Sequence, residues 1–229
     1  VERSRGLGDV YKRQIQNIVE ANYGGFLSSF SGKNDFTRST RNLYKEWECM
    51  NTGIKPYASV TSIHTALDCL KNIMEKNNIS VKNIKNIKAK ISHPTYVHCA
   101  WNYKNHNITS AQMNIYYGLA LIALEGELFV NQFSKDKISN PEILNFMKKI
   151  TAEVDPKIES LGHEFRHMAS IELTTNDNKK FNHTEKYRKG SPENPLTKDQ
   201  IISKFKTLAA YSYDDTKINT IKEKIENIE

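Results

Sequence analysis

Lys55 and His64 stand in one short run, IKPYASVTSIHTALD, which sets a cation, three hydroxyls and an imidazole around the expected start of a helix. A helix N-terminus carries free N–H groups and a partial positive charge, so it binds anions such as carboxylates. Lys55 adds a full charge, and the hydroxyls of Ser59, Thr61 and Ser62 add donors. His64, in the first turn, sits where a general acid or base reaches a bound anion. Its pKa tends downward beside a helix N-terminus, which keeps it neutral and able to accept a proton. The same residues also fit a surface lysine, an ordinary helix cap and a packed histidine.

Two other constellations carry less. His163-Glu164-Phe165-Arg166-His167 matches HExxH, which on a helix places two imidazoles on one face to hold zinc. Here Gly162 ends the short helical segment before it, and the residues from Met168 to Thr174 alternate like a strand. In extended chain, residues four apart lie roughly 13 Å apart, too far to share one ion. The run therefore reads as a polar loop entering a strand, with no metal site. His93, His98 and His106 gather around Cys99, but their spacings match no zinc pattern, and a buried cysteine with solvent-facing histidines is expected. No GxGxxG or P-loop occurs.

The elements that must position these groups follow from periodicity. The 229 residues, 38% hydrophobic and 26% charged, are enough for a substantial core and argue against wholesale disorder. No run of about 18 apolar residues exists, so no membrane-spanning helix is expected. Three cysteines without CxxC spacing and no visible signal peptide fit a soluble, cytoplasmic protein. The net charge of +7 comes from lysines scattered along the chain, and the densest run, Lys82–Lys90, alternates like a strand. A nucleic-acid footprint clusters its basic residues with aromatic or glycine punctuation, so no nucleic-acid partner is expected.

The first fourteen residues carry four basic and two acidic residues without period and resemble a non-native scar. Without an initiator Met, the chain reads as N-terminally truncated. Helical spacing covers Ile15–Phe30, broken or closely packed at Gly24-Gly25, and Asp35 caps a second helix toward Trp47. After a turn at Asn51–Gly53, Ile54–Ser59 reads as extended, and Thr61 or Ser62 caps a helix over Ile63–Asn77. A strand at Ile84–Ile91 precedes the polar, aromatic run His93–Asn107. A nearly all-apolar helix from Thr109 or Ser110 through Leu124 ends at Gly126 and belongs in a core. Asn140-Pro141 starts a helix to about Ile150. Ile171–Thr174 and Phe181–Lys186 pair as a hairpin around Asn176–Asn178. A Pro/Gly-rich loop follows, then a Thr197/Gln200 capping box, the helix Lys198–Ala210 and a last charged helix. The pattern is α+β.

The runs GGFLSSF, NTGIKPYASVTSIHTALD, AQMNIYYGLALIALEGE and RKGSPENPLTKDQIISKF resemble, in order and spacing, the C-terminal half of the MmgE/PrpD family from about Ile15 onward. That family includes 2-methylcitrate dehydratase, cis-aconitate decarboxylase and iminodisuccinate epimerase. The resemblance implies a small α+β domain flanked by helices of a larger all-helical domain, with the site in the cleft between. Residues 15–51 and 188–229 are then assigned to the helical domain and 52–187 to the small one. It further implies a homodimer in the full-length protein, a di- or tricarboxylate substrate, and no metal or other cofactor. By position, Lys55 matches the family's active-site lysine, His64 the motif histidine and Tyr96 a pocket tyrosine. The decarboxylase carries a histidine five residues after its lysine, where this chain has Val60. The expectation is the C-terminal part of a lyase or isomerase, 2-methylcitrate dehydratase-like, with decarboxylation, epimerisation and a non-catalytic carboxylate binder as alternatives. The piece alone is expected to be inactive and poorly soluble.

Overall fold

The structure, a computed structural model, describes residues 19, 25–31, 35, 37–104 and 107–228. Val1–Gln14, most of Ile15–Gly24 and His106 lie outside them. The chain divides into two compact units, Val1–Met50 and Asn51–Glu229.

The first unit holds two short helices, α1 (Phe26–Phe30) and α2 (Thr37–Thr40). Gly25 has extended dihedrals and precedes α1, so the glycine marks a break. Asp35 accepts the Thr37 N–H at 3.0 Å, the cap expected of it. The helix it opens is shorter than the run to Trp47, because residues 41–45 turn, with Asn42 and Tyr44 left-handed.

The second unit is α+β, with helices packed on one face of a four-stranded sheet. The site helix α3 (His64–Lys76) comes first, followed by β1 (Ile84–Ile91) and α4 (His93–Cys99). Then come α5 (Ile108–Met113), α6 (Ile115–Glu125), α7 (Lys135–Ile138) and α8 (Pro141–Met147). Strand β2 (Ile150–Val154), α9 (Pro156–Ser160), β3 (Ala169–Thr175) and β4 (Lys180–Glu185) complete the sheet region. The helices α10 (Lys198–Ala209) and α11 (Asp215–Glu226) end the chain.

The strand order is β2-β1-β3-β4; β1 runs parallel to β2 and antiparallel to β3, and β3–β4 is a hairpin. Register sets the two faces. Ile87, Ala89 and Ile91 lie opposite Leu173, Ile171 and Ala169, and all six are buried. On the other face Lys88 pairs with Glu153 at 3.3 Å and Lys90 with Glu172 at 2.7 Å. The lysine-rich strand is thus amphipathic, with Lys88 and Lys90 matched by acids on its polar face and Lys85 hydrogen-bonded to Asn178.

The apolar face is covered by α3, against β3 and β4, and by α6. Leu67, Leu70, Leu119 and Leu121 are fully buried there, each side chain contributing about 1.5–3 kcal/mol. A Cβ on Gly118 of α6 would lie 3.0 Å from Ile63 and 3.2 Å from Leu67, so this glycine admits the start of α3. Gly126 ends α6 in the left-handed conformation, as expected.

Several local expectations are corrected. Ile54–Ser59 is a chain of bends after Lys55 rather than extended. A 3-10 turn, Thr61–Ile63, precedes α3, and neither Thr61 nor Ser62 caps it by a side chain. The apolar helix is two, because Asn114 is extended and its side chain caps α6 at Tyr117 N. The helix from Asn140-Pro141 stops at Met147, and Ile150 opens a parallel edge strand. His93–Cys99 is helical, started by Ser92 accepting Thr95 N and by a proline in the first turn.

Candidate functional site

Local geometry hooks the Lys55 run back on itself. The Ser59 carbonyl oxygen accepts from Lys55 Nζ at 3.3 Å and meets His64 Nε2 at 3.3 Å. A carbonyl only accepts, so Nε2 carries the imidazole proton and Nδ1 presents a lone pair. That Nδ1 is buried without a hydrogen-bond partner, as is the Ser59 hydroxyl. His64 is 0% exposed and Ser59 5%. Burial first, then the nearby Lys55 and Arg188 cations and His167, lower the His64 pKa to about 4 against the pull of the Ser59 carbonyl. At neutral pH His64 is an uncharged, pre-oriented base. Lys55 itself is exposed, with its ammonium fixed from beneath by the carbonyl that also holds His64. Thr61 and Ser62, half-buried, occupy the turn whose N–H groups open the helix.

The wall behind this hook is Tyr57. Its ring meets His64 edge-on at 5.2 Å, and its hydroxyl donates to Asp68 Oδ1 at 2.7 Å. Burial raises the Tyr57 and Asp68 pKa values, Asp68 with partial relief from Tyr57. Asp68 Oδ2 accepts the Lys189 N–H at 3.4 Å, which ties the Pro/Gly-rich loop to α3.

That loop docks on the Lys55 segment by backbone. Ile54 N donates to the Gly190 carbonyl at 2.7 Å, and Lys204 Nζ of α10 donates to the Lys55 carbonyl at 2.8 Å. A Cβ on Gly190 would lie 1.9 Å from the Ile54 oxygen, and Gly190 has φ +85°. A Cβ on Gly53 would lie 2.7 Å from the Gly190 oxygen. Only glycine serves at 190, and it brings two runs far apart in sequence into contact. On the other side of this contact, Pro56, Tyr57, Asp68, Lys189 and Lys204 line a cavity of about 540 Å³ between α3 and α10.

The expected site residues are placed in two groups. Hydrogen bonds join Lys55, Ser59 and His64. Tyr96 lies on α4, 37% exposed, with its charge bearing on Tyr116, and the helix packs on the Thr61–Ile63 turn. The HExxH run is a 3-10 turn at His163–Phe165, compact rather than extended, and it is not the α-helix that motif requires. Among the described residues no three His, Cys, Asp or Glu side chains group as metal ligands. His93 and His98 are exposed and Cys99 is buried, with its pKa pushed up to about 12.

Two groups near the site were not anticipated. Thr65 donates to the His167 carbonyl, which places the last histidine of HEFRH against the first turn of α3. Its Nδ1 is also buried without a partner, and burial with the Arg166 and Arg188 charges lowers its pKa to about 4. Arg188 bears on both histidines. The two belong to segments that meet α3 only through tertiary packing, so no local pattern ties them to Lys55.

Residues 57–229 match the MmgE/PrpD C-terminal domain, beginning two residues after Lys55. The chain is 23% identical over 91% of its length to a cis-aconitate decarboxylase of Aspergillus terreus. It is 25% identical over 94% of its length to a cis-aconitate decarboxylase-like protein, oryM, of Aspergillus oryzae. The alignments cover 45% and 47% of those proteins, so the chain spans about half the length of the curated relatives it matches. With the match extending over most of the residues that build the fold and the hook, the chain belongs to the MmgE/PrpD family.

Proposed function

We propose that this chain is the C-terminal part of a metal-independent lyase that acts on a small di- or tricarboxylate. The observation that carries the reading is the Ser59 carbonyl, which holds an exposed ammonium and a buried, neutral imidazole on one atom. Loss of CO2 or water from such an acid builds negative charge on a carbon next to a carboxylate, and a fixed cation stabilises that charge. Lys55 takes the substrate carboxylate, with Thr61, Ser62 and the N–H groups of their turn as further donors. His64, fully buried, acts through the Ser59 carbonyl to position Lys55, and its free Nδ1 is the proton acceptor next to it. Ser59 contributes its hydroxyl when the site is filled. Tyr96, exposed on the helix packed against the Thr61–Ile63 turn, is a wall of the wider cleft in this reading.

The relatives named as cis-aconitate decarboxylases favour decarboxylation; a 2-methylcitrate dehydratase-like loss of water is the second reading, favoured by Val60 at the position where the decarboxylase has histidine. Residues 15–51 and 188–229 belong, in this proposal, to a larger helical domain, consistent with the exposed Ile201, Leu208 and Tyr211 of the C-terminal region. The test is one panel of acids, including cis-aconitate and 2-methylcitrate, presented to the full-length protein. CO2 release, water loss and proton exchange at carbon are followed in parallel. The reading expects one of the first two. Exchange or binding alone across the panel would remove the lyase assignment.

A further inference from the structure

Arg188 is half-buried, yet it makes no ion pair among the described residues. The acid on which its charge bears is Glu193, whose Oε2 already accepts from Ser191 Oγ at 2.6 Å. A guanidinium drawn partly out of water without a carboxylate is costly, and its natural complement is a carboxylate held by two parallel N–H bonds.

Its location is fixed by backbone. Two residues on, Gly190 accepts from Ile54 N, next to Lys55; one residue on, Lys189 N donates to Asp68 of α3. The charges of Lys55 and Arg188 both reach His64, and that of Arg188 also reaches His167. Both imidazoles leave Nδ1 buried and unpartnered. Neither ring supplies an anion, and the nearby carboxylates are engaged elsewhere, Glu193 by the Ser191 hydroxyl and Asp68 by Tyr57 and Lys189 N, so neither forms an ion pair with Lys55 or Arg188 among the described residues. Gly190, which admits no side chain, is what lets the loop carrying Arg188 approach the segment carrying Lys55.

We propose that Arg188 holds a second carboxylate of the substrate whose first carboxylate Lys55 takes, and so selects di- and tricarboxylates over monocarboxylates. This rests on the Lys55 reading above. Arg188 thereby sets specificity, and the proton-handling groups stay on the His64 side.

The experiment compares succinate with butyrate, which differ by one carboxylate, by isothermal titration and ligand-detected NMR on the full-length protein. The unsubstituted protein is expected to bind succinate about 10–100-fold more tightly, the scale of a charge-assisted pair. Arg188→Gln is expected to erase that difference and leave butyrate unchanged. Arg188→Lys, which keeps the charge without the fork, restores part of it and stands in if the glutamine variant fails to fold. A succinate preference that survives Arg188→Gln, or that the lysine variant retains in full, overturns the proposal. If Lys55→Ala weakens both acids while the preference survives Arg188→Gln, only the present proposal falls. If Lys55→Ala weakens neither, the Lys55 reading falls, and the role of Arg188 as a second site with it.

Discussion

Acid should destabilise this chain through His64, and the size of the effect follows from its burial. The folded-state pKa is lowered to about 4, whereas an imidazole in the unfolded chain titrates near 6.5. Between those values the unfolded state binds the proton and the folded state does not, so stability is lost as pH falls from 6.5 toward 4. Above 6.5 His64 is neutral in both states and contributes no slope. The gap corresponds to about 3 kcal/mol over the window. His167 adds a smaller loss of the same sign, since it is only half-buried and solvent screens it. Asp177 and Glu226, held at about 2 by hydrogen bonds from Thr175 and Lys198, lose their contributions at lower pH. The variant that isolates the effect is His64→Gln, whose amide keeps a donor for the Ser59 carbonyl but does not titrate. Urea unfolding followed by circular dichroism from pH 7.5 to 4 is expected to give a shallower pH slope in the variant. A His64 resonance titrating near 6.5, or parallel slopes in the two proteins, refutes the buried neutral base.

Ser59→Ala is expected to raise stability by about 1 kcal/mol, because it removes a buried hydroxyl without a partner, while lowering turnover in the full-length protein; thermal melts and kcat/KM measured together separate the two effects. Gly190→Ala is expected to cost about 2–4 kcal/mol, since the added carbon meets the Ile54 oxygen and the left-handed φ is strained as well. Unchanged urea midpoints in that variant would show that the Arg188 loop does not dock as described.

The fold was legible where one physical signal dominated. Strand β1 has the bounds its alternation implies, Ile84–Ile91, because one face packs on helices and the other pairs lysines with acids. The Thr197/Gln200 capping box and the Gly126 stop are local chemistry and appear as expected. Strand β2 is short: its five residues, ITAEV, alternate apolar and polar, but they follow closely on the helix that ends at Met147, and five residues are too few to outweigh the helical pattern before them. Helix α4 was hidden by its histidines and aromatics, although Ser92 and Pro94 are ordinary start signals. At the site, the spacing from Lys55 to His64 was readable, but the carbonyl that joins them was not, since it depends on bends after Pro56. His167 belongs to the HExxH run but lies against α3 for an unrelated reason, a hydrogen bond from the Thr65 hydroxyl to its backbone carbonyl. Arg188 opens the RKGSPENPLT run, but nothing local ties it to Lys55, because its proximity comes from a glycine contact between segments far apart in the chain.

The central claim is that the ammonium seated on the Ser59 carbonyl stabilises charge on a polycarboxylate. The most direct measurement is kcat/KM of the full-length protein on its best acid from the panel, with and without Lys55→Ala. The account predicts a loss of about 10²–10³-fold, the scale of removing one charge-stabilising donor, with the fold intact by circular dichroism. Turnover within a few-fold of the unsubstituted protein would contradict it.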